Sequence, residues 1–387
     1  MRFKYLFSAP GHDVPVSNED RARPFLMAPA TPHPFLSLGD YLDALTAFLS
    51  RDRGAALLAV LNNRMVDRPA TLSDLQPLLV RTEKHGALYH IASVECLLPN
   101  RSVKLAITTA VTEENRRRLT REYSLLNRLH DNTRDPALPE IFCVTDQTIA
   151  ANGDTATLTM MLGEWFDDYH EWHISREANG TPQIRLWDMK TGYRFLDKRE
   201  QAALLQQVAA ILTRHYDPES GSQIYPWHHA AGDFVVCGSP NALHVKLITT
   251  RDYEPLLYYP PAAGLLPGLL SFFLHLTIRM RLDRLDGVGE PVWLDDFSLP
   301  ATIAGFAEEL HKKNHPAIDP DDTLELLKEF SWEELLTGCE PLLALYEQED
   351  AEDTELIRAN LKNHCRLLQK CLQGITADPQ QGTRLNP

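Results

Sequence analysis

Several features that would place this chain in a familiar class are scarce or missing. Its six cysteines (Cys96, Cys143, Cys237, Cys339, Cys365 and Cys371) are scattered without CxxC spacing, which suggests neither a disulfide framework nor a zinc finger and predicts reduced, structural thiols. Long apolar runs are absent. The most apolar stretch, Gly264 to Ile278, is interrupted by Pro267 and His275 and is too short to span a bilayer. The amino terminus, MRFKYLFSAPGHD, carries basic residues but no apolar run of signal-peptide length. These absences predict a soluble, cytoplasmic protein with no membrane partner. Positive charge is also short: 38 Lys and Arg stand against 53 Asp and Glu, a formal net charge of -15. Broad nucleic-acid binding needs a basic face, so no nucleic-acid partner is expected. No internal repeat is present.

What is present is an ordinary globular composition, 387 residues with 44% hydrophobic and 24% charged side chains, enough for two or three packed units. Residues 1 to about 36 are proline-rich and predict an irregular arm, followed by a helical segment from Leu38 to Met65 with Tyr41, Leu42, Leu45, Phe48 and Leu49 on one stripe. From Leu78 the pattern becomes a three-stranded meander, LLVRTEKHG, ALYHIASVECLL and RSVKLAITTAV, turning at Pro99-Asn100. A helix follows, TEENRRRLTREYSLLNRLH, whose apolar face is Leu119, Tyr123, Leu126 and Leu129. Strands are predicted at Glu140 to Thr145 and Thr155 to Leu162, joined at Asn152-Gly153. After a polar connector, Asp197 and Glu200 have capping-box spacing at the start of a helix running through Leu204, Val208, Ile211 and His215. The segment IYPWHHAAGDFVVCGSPNALHVKLITT (224–250) follows, then mostly helix, including a long one from about Thr354 to Leu372 stopped at Gly374.

This order, with the layout of 224–250, resembles the protein-kinase-like superfamily, in particular bacterial small-molecule phosphotransferases and lipopolysaccharide kinases, over roughly residues 78 to 300. The resemblance implies an α+β, bilobal protein-kinase-like fold: a small antiparallel-sheet N-lobe with one main helix (77–163), a mostly helical C-lobe (164–375), an N-terminal extension (1–76) and a disordered tail (376–387).

It also implies site residues. Lys104, four residues beyond the Pro99-Asn100 turn, is expected as the phosphate-anchoring lysine of the third strand. Thr108 is the rival position, and would mean the lysine is lost. Glu122, between Leu119 and Leu126, projects from near the buried face of its helix, needs a partner there, and is expected to pair with Lys104. Leu162, Gly163 and Glu164 correspond to the connector that hydrogen-bonds adenine through its backbone. The phosphate-covering turn, Glu83-Lys84-His85-Gly86, holds a single glycine. On the register that places Phe234-Val235-Val236 on a strand, Asp233 takes the metal-binding position and His228 that of the catalytic base. A rival register reads Ala231-Gly232-Asp233 as the HGD form, with Asp233 as base. Thr249 stands where the metal-binding aspartate of DFG is expected, with Asp252 nearby. A metal centre built from His228, His229 and Asp233, joined by His170 and His173, is an alternative.

Hard cations prefer carboxylates, and Thr249 removes one. The expected function is therefore a nucleotide-binding pseudokinase with a regulatory or scaffolding role, binding ATP or a related nucleotide with Mg²⁺ at Asp233, and contacting a protein partner through its acidic surface. The alternatives are an active, atypical ATP-dependent transferase acting on a small molecule or protein, with Asp233 and His228 catalytic, and a ligand-free interaction module.

Overall fold

The computed structural model describes residues 1–9, 11–28, 30–64, 71, 77–86, 88–98, 101–133, 135–188, 191–229, 232–239, 242–313, 315–376 and 384–385. Met65, the Pro99-Asn100 turn, Ala231 of the rival HGD register and most of the expected tail lie outside these residues. The protein is mixed α and β, with predominantly antiparallel sheets. It divides into two compact units, Met1–Asp167 and Asp168–Pro387.

The first unit opens with β1 (Phe3–Ala9), β2 (His12–Pro15), α1 (Asn18–Arg21), β3 (Pro24–Ala28) and β4 (Thr31–Ser37). This corrects the irregular arm expected for 1–36. The alternating FKYLF pattern places Phe3 and Tyr5 against the core, and β1 pairs in parallel with the strand that begins at Leu78. Next come α2 (Leu38–Ser50) and α3 (Ala55–Arg64), with a break at Arg51–Gly54 where Asp52, Arg53 and Gly54 all adopt positive φ. The predicted meander is β5 (Leu78–His85), β6 (His90–Leu98) and β7 (Arg101–Ala110). Then follow α4 (Glu113–Thr133), β8 (Ile141–Ala151) and β9 (Asp154–Glu164). Asn152 and Gly153 join β8 to β9 with φ of 54° and 87°, as the Asn-Gly pair predicts.

All of this builds one seven-stranded sheet in the order β2-β1-β5-β6-β7-β9-β8. Side chains alternate across it. Val103, Leu105 and Ile107 of β7 join Tyr41, Leu45, Leu57 and Leu61 in a core beneath α2 and α3, so the N-terminal extension belongs to this unit's core. On the opposite face, Ala110 and Met161 pack on Leu119 of α4.

The second unit holds what the sequence reading took for a polar connector: β10 (His170–Arg176), β11 (Pro182–Asp188) and β12 (Gly192–Phe195). After α5 (Lys198–Arg214) and β13 (Ser222–Ile224) come β14 (Phe234–Ser239) and β15 (Ala242–Leu247), which complete a five-stranded sheet in the order β12-β11-β10-β14-β15. The part expected to be mostly helical thus contains a substantial sheet. The alternating Trp172, Ile174, Ile184 and Leu186, all buried, and the Asn179-Gly180 turn between them were its sequence signal. Helix α5 starts as predicted, with Asp197 and Glu200 forming a capping box.

Beyond β16 (Tyr253–Pro255), α6 (Leu266–Arg279) is buried on nearly every side from Leu269 onward. Then come β17 (Leu282–Arg284), β18 (Pro291–Trp293), α7 (Ser298–Lys313), α8 (Pro320–Glu329), α9 (Trp332–Gly338), α10 (Glu340–Glu349) and α11 (Ala351–Gln373), the last ending at Gly374 as predicted. Within the tail expected to be disordered, β20 (Arg384–Leu385) pairs with β19 (Ile375–Thr376).

Candidate functional site

The expected phosphate anchor lies in the first unit. Lys104 projects from the face of β7 opposite the α2 and α3 core, since Val103 and Leu105 are buried in that core. Its Nζ is 2.7 Å from Glu83 Oε1 and 3.8 Å from the centroid of the Trp165 ring. Ser93 donates its hydroxyl to the same Glu83 oxygen at 2.5 Å. Alongside, Arg81 bonds Asp13 and Glu95 at 2.8 Å each, and Glu95 lies opposite Lys104 in the ladder. The carboxylate expected beside Lys104 was Glu122, and it is Glu83 that occupies that place.

The register explains why. Thr108 lies opposite Met161, and Met161 packs with Leu119 of α4, one turn before Glu122. Lys104 is four residues back along β7, about 13 Å at strand rise. The strand position that comes against α4 is therefore Thr108, the rival candidate. Glu122 itself is buried on α4, 2% exposed, as its place between Leu119 and Leu126 predicts.

Leu162 and Glu164 fall inside β9 rather than in a connector. Leu162 is buried in the core and pairs with both Ile107 and Cys143. Glu164 pairs with Leu105, its N–H donates to the Glu140 carbonyl at 2.8 Å, and its carboxylate accepts from the Glu140 N–H. Backbone groups assigned by resemblance to adenine are in use by the sheet. Lys84 and His85 are the last residues of β5, and the Gly86 N–H donates to the Tyr89 carbonyl.

The second unit carries the loop corresponding to the catalytic segment. Asp233 immediately precedes β14 and is 2% exposed. Gly232 before it takes φ of +70°, and a Cβ there would come within 3.0 Å of the Glu171 carboxylate, so the turn into Asp233 requires glycine. Asp233 uses both oxygens: Oδ1 accepts from Arg251 Nη2 at 2.5 Å, and Oδ2 accepts from Arg251 Nη1 at 2.5 Å and from the His228 N–H at 2.8 Å. Arg251 also donates to the Pro226 carbonyl at 3.3 Å. A bidentate Arg–carboxylate pair is among the strongest a protein makes. These residues do not fit a Mg²⁺ site, because the guanidinium occupies the carboxylate edge the cation requires.

His228 lies against a second arginine. Arg279 Nη2 donates to its Nδ1 at 3.1 Å, and burial, with Arg279 and Arg251 adding to it, pushes its pKa down to about 3. A base that weak holds little of the proton affinity that general-base catalysis near neutral pH requires. Arg279 closes the apolar helix α6 and is itself buried, with Asp353 at 3.8 Å and the rings of Tyr225 and Tyr346 each 5.9 Å away. Tyr225 donates to Glu349, Tyr346 bonds His275 Nδ1 at 2.7 Å, and Arg284 bonds Asp350 at 2.8 Å and Asp353 at 3.1 Å. The loop is therefore fastened to α6, α10 and α11 by charge-assisted contacts.

His229 is packed among the rings of Trp172, Trp227 and Phe234, and burial lowers its pKa to about 3. His170 faces Asp188 at 3.8 Å, and His173 packs on Trp187 with Glu171 at 3.6 Å. Among the described residues no group of three or more His, Cys, Asp or Glu side chains is placed to hold a metal ion. Thr249 stands two residues beyond β15, half-buried, and Thr250 is fully buried. Asp252 accepts from the N–H of Tyr253 at 2.9 Å.

The residues that organise these sites, Glu83, Arg251 and Arg279, were not among the expected ones. Their signal was present: an arginine two places past Thr249, and another ending the apolar run LPGLLSFFLHLTIR, each require a buried partner.

No protein-family model matches this sequence, and comparison with curated proteins finds no match. Among the described residues no helix is long and apolar enough to cross a membrane.

Proposed function

We propose that this chain is a kinase-like protein that does not transfer phosphoryl groups and acts by binding, in a regulatory or scaffolding role. The order of elements supports the kinase-like part: a three-stranded meander, one helix, two strands, then the α5 helix, the 225–233 loop, the β14–β15 hairpin and α6. The single observation that carries the loss of chemistry is the pair between Arg251 and Asp233. In this superfamily the carboxylate there is expected to hold Mg²⁺, and here both its oxygens accept from a guanidinium. Thr249 supplies no second carboxylate, and Lys104 has its charge met by Glu83. Six free cysteines suit a reducing compartment, consistent with a cytoplasmic role.

The test is incubation of the purified chain with ATP and Mg²⁺, with thermal unfolding followed in parallel. The expected results are no Mg²⁺-dependent turnover and no increase in ATP-induced stabilisation when Mg²⁺ is added; ligand at about 100 times its Kd would stabilise by about 2.7 kcal/mol. Turnover that requires Mg²⁺ and disappears in Asp233→Asn would overturn the reading in favour of an active transferase.

A further inference from the structure

A pocket of about 260 Å³ lies in the second unit between β13, the segment after β16 and the start of α6. None of the residues singled out by resemblance lines it. Its floor includes Gln223, 4% exposed, whose Oε1 is buried and accepts no hydrogen bond among the described residues. Beneath Gly268, another lining residue, the buried Tyr216 hydroxyl likewise has no partner among the described residues. Buried amides and hydroxyls are nearly always paired, so two unsatisfied groups at one pocket point to a ligand that completes them. Glu219 is the one charged residue lining the pocket, and its side chain is 67% exposed. Around the pocket stand Tyr258, Tyr259 and Leu266, with 81%, 38% and 49% exposure, three of the ten large hydrophobics that remain exposed among the described residues.

We propose that this pocket receives an arginine side chain from an extended segment of a protein partner. An unsatisfied acceptor on the floor, a lone carboxylate at the side, tyrosine rings at the mouth and no lining cation match a guanidinium, which carries five donors, no acceptor and a plane that stacks on aromatic rings. The formal charge of -15 favours approach of a basic segment. Tyr258 and Leu266 then contact the apolar residues flanking the arginine, as the rim of a hot-spot pocket does. This assignment deepens the scaffolding reading and rests on it for its biological role, while the binding itself does not depend on nucleotide.

Isothermal titration of the full chain, in the absence of nucleotide, with acetyl-Leu-Arg-Leu-amide, its citrulline and lysine counterparts, and free arginine tests the proposal. The arginine peptide is expected to bind at least about ten-fold more tightly than each of the others. Glu219→Gln, at an exposed position that does not threaten folding, and Gln223→Leu, checked for an unchanged melting temperature, are each expected to weaken binding of the arginine peptide by about ten-fold. Equal binding of the citrulline peptide, absence of arginine-peptide binding at millimolar concentration, or indifference to Glu219→Gln overturns the proposal. Free arginine binding as tightly as the peptide makes the pocket a small-molecule site and overturns it equally. None of these outcomes bears on Mg²⁺-dependent turnover, so the two readings fail separately.

Discussion

Arg251 and Asp233 share two hydrogen bonds of 2.5 Å, with the aspartate 2% and the arginine 15% exposed. A pair this buried is structural: removing one member leaves an uncompensated charge away from water. Arg251→Met is expected to lower the free energy of unfolding by about 3–5 kcal/mol, read from urea denaturation midpoints. Asp233→Ala is expected to cost a similar amount, because it strands the arginine. A change under about 1 kcal/mol in both variants would show that the two side chains are separable, as a metal-binding aspartate would be.

Lys104 and Glu83 supply a second measurable pair. Both are largely buried, and Ser93 bonds the same carboxylate. In a double-mutant cycle of Lys104→Met and Glu83→Gln, the coupling energy is expected to be about 1 kcal/mol and favourable. Coupling indistinguishable from zero would free Lys104 for the phosphate role that the resemblance assigns to it.

Acid sensitivity follows from buried histidines. His228, His229 and His364 have folded pKa values lowered to about 3 by burial, against an ordinary 6.5. The unfolded chain therefore binds more protons than the folded one between these limits. The stabilisation from keeping these rings neutral is fully present above pH 6.5 and is lost progressively as pH falls toward 3. Each ring contributes a slope of about 1.4 kcal/mol per pH unit in that window. His229→Phe, which replaces a ring packed among Trp172, Trp227 and Phe234 with an apolar one, is expected to flatten the stability profile between pH 4 and 6 by one such slope. Denaturation midpoints at four pH values across that window measure it, and an unchanged slope contradicts the assignment.

Gly305 sits where α7 crosses α5. A Cβ at that position would lie 2.1 Å from the Gln206 carbonyl oxygen and 3.0 Å from the Ala209 Cβ. The obstruction is backbone, which cannot rotate away, so Gly305→Ala must push the two helices apart. The expected cost is about 2–4 kcal/mol despite the better helix propensity of alanine. Circular dichroism during thermal unfolding reports it, and a rise in melting temperature would refute the close crossing.

Much of the architecture was legible in the chain. The meander, α4, the Asn152-Gly153 hairpin, the Asp197–Glu200 cap and the Gly374 stop stand where apolar period and terminal signals put them, because those signals act within a few residues. The first strand and β10–β12 were missed, for one physical reason: each is short, and each becomes a strand by pairing with a partner distant in sequence, as β1 does with β5 and β10 with β14. Proline content hid the first, and a run of histidine, tryptophan and acid hid the second.

The candidate site divides in the same way. Burial of Glu122 and Asp233, the replacement at Thr249 and the shortage of glycine before β6 could all be read along the chain. The partners of Lys104 and Asp233 could not, since Glu83 and Arg251 reach them across a sheet and from the far side of a hairpin. Side-chain period and capping chemistry are local properties, so the amino-acid order alone determined most elements and which residues turn inward. Pairing between charges depends on which strand lies beside which and in what register, and only the folded arrangement decided that the carboxylate expected to hold a metal would meet a guanidinium instead.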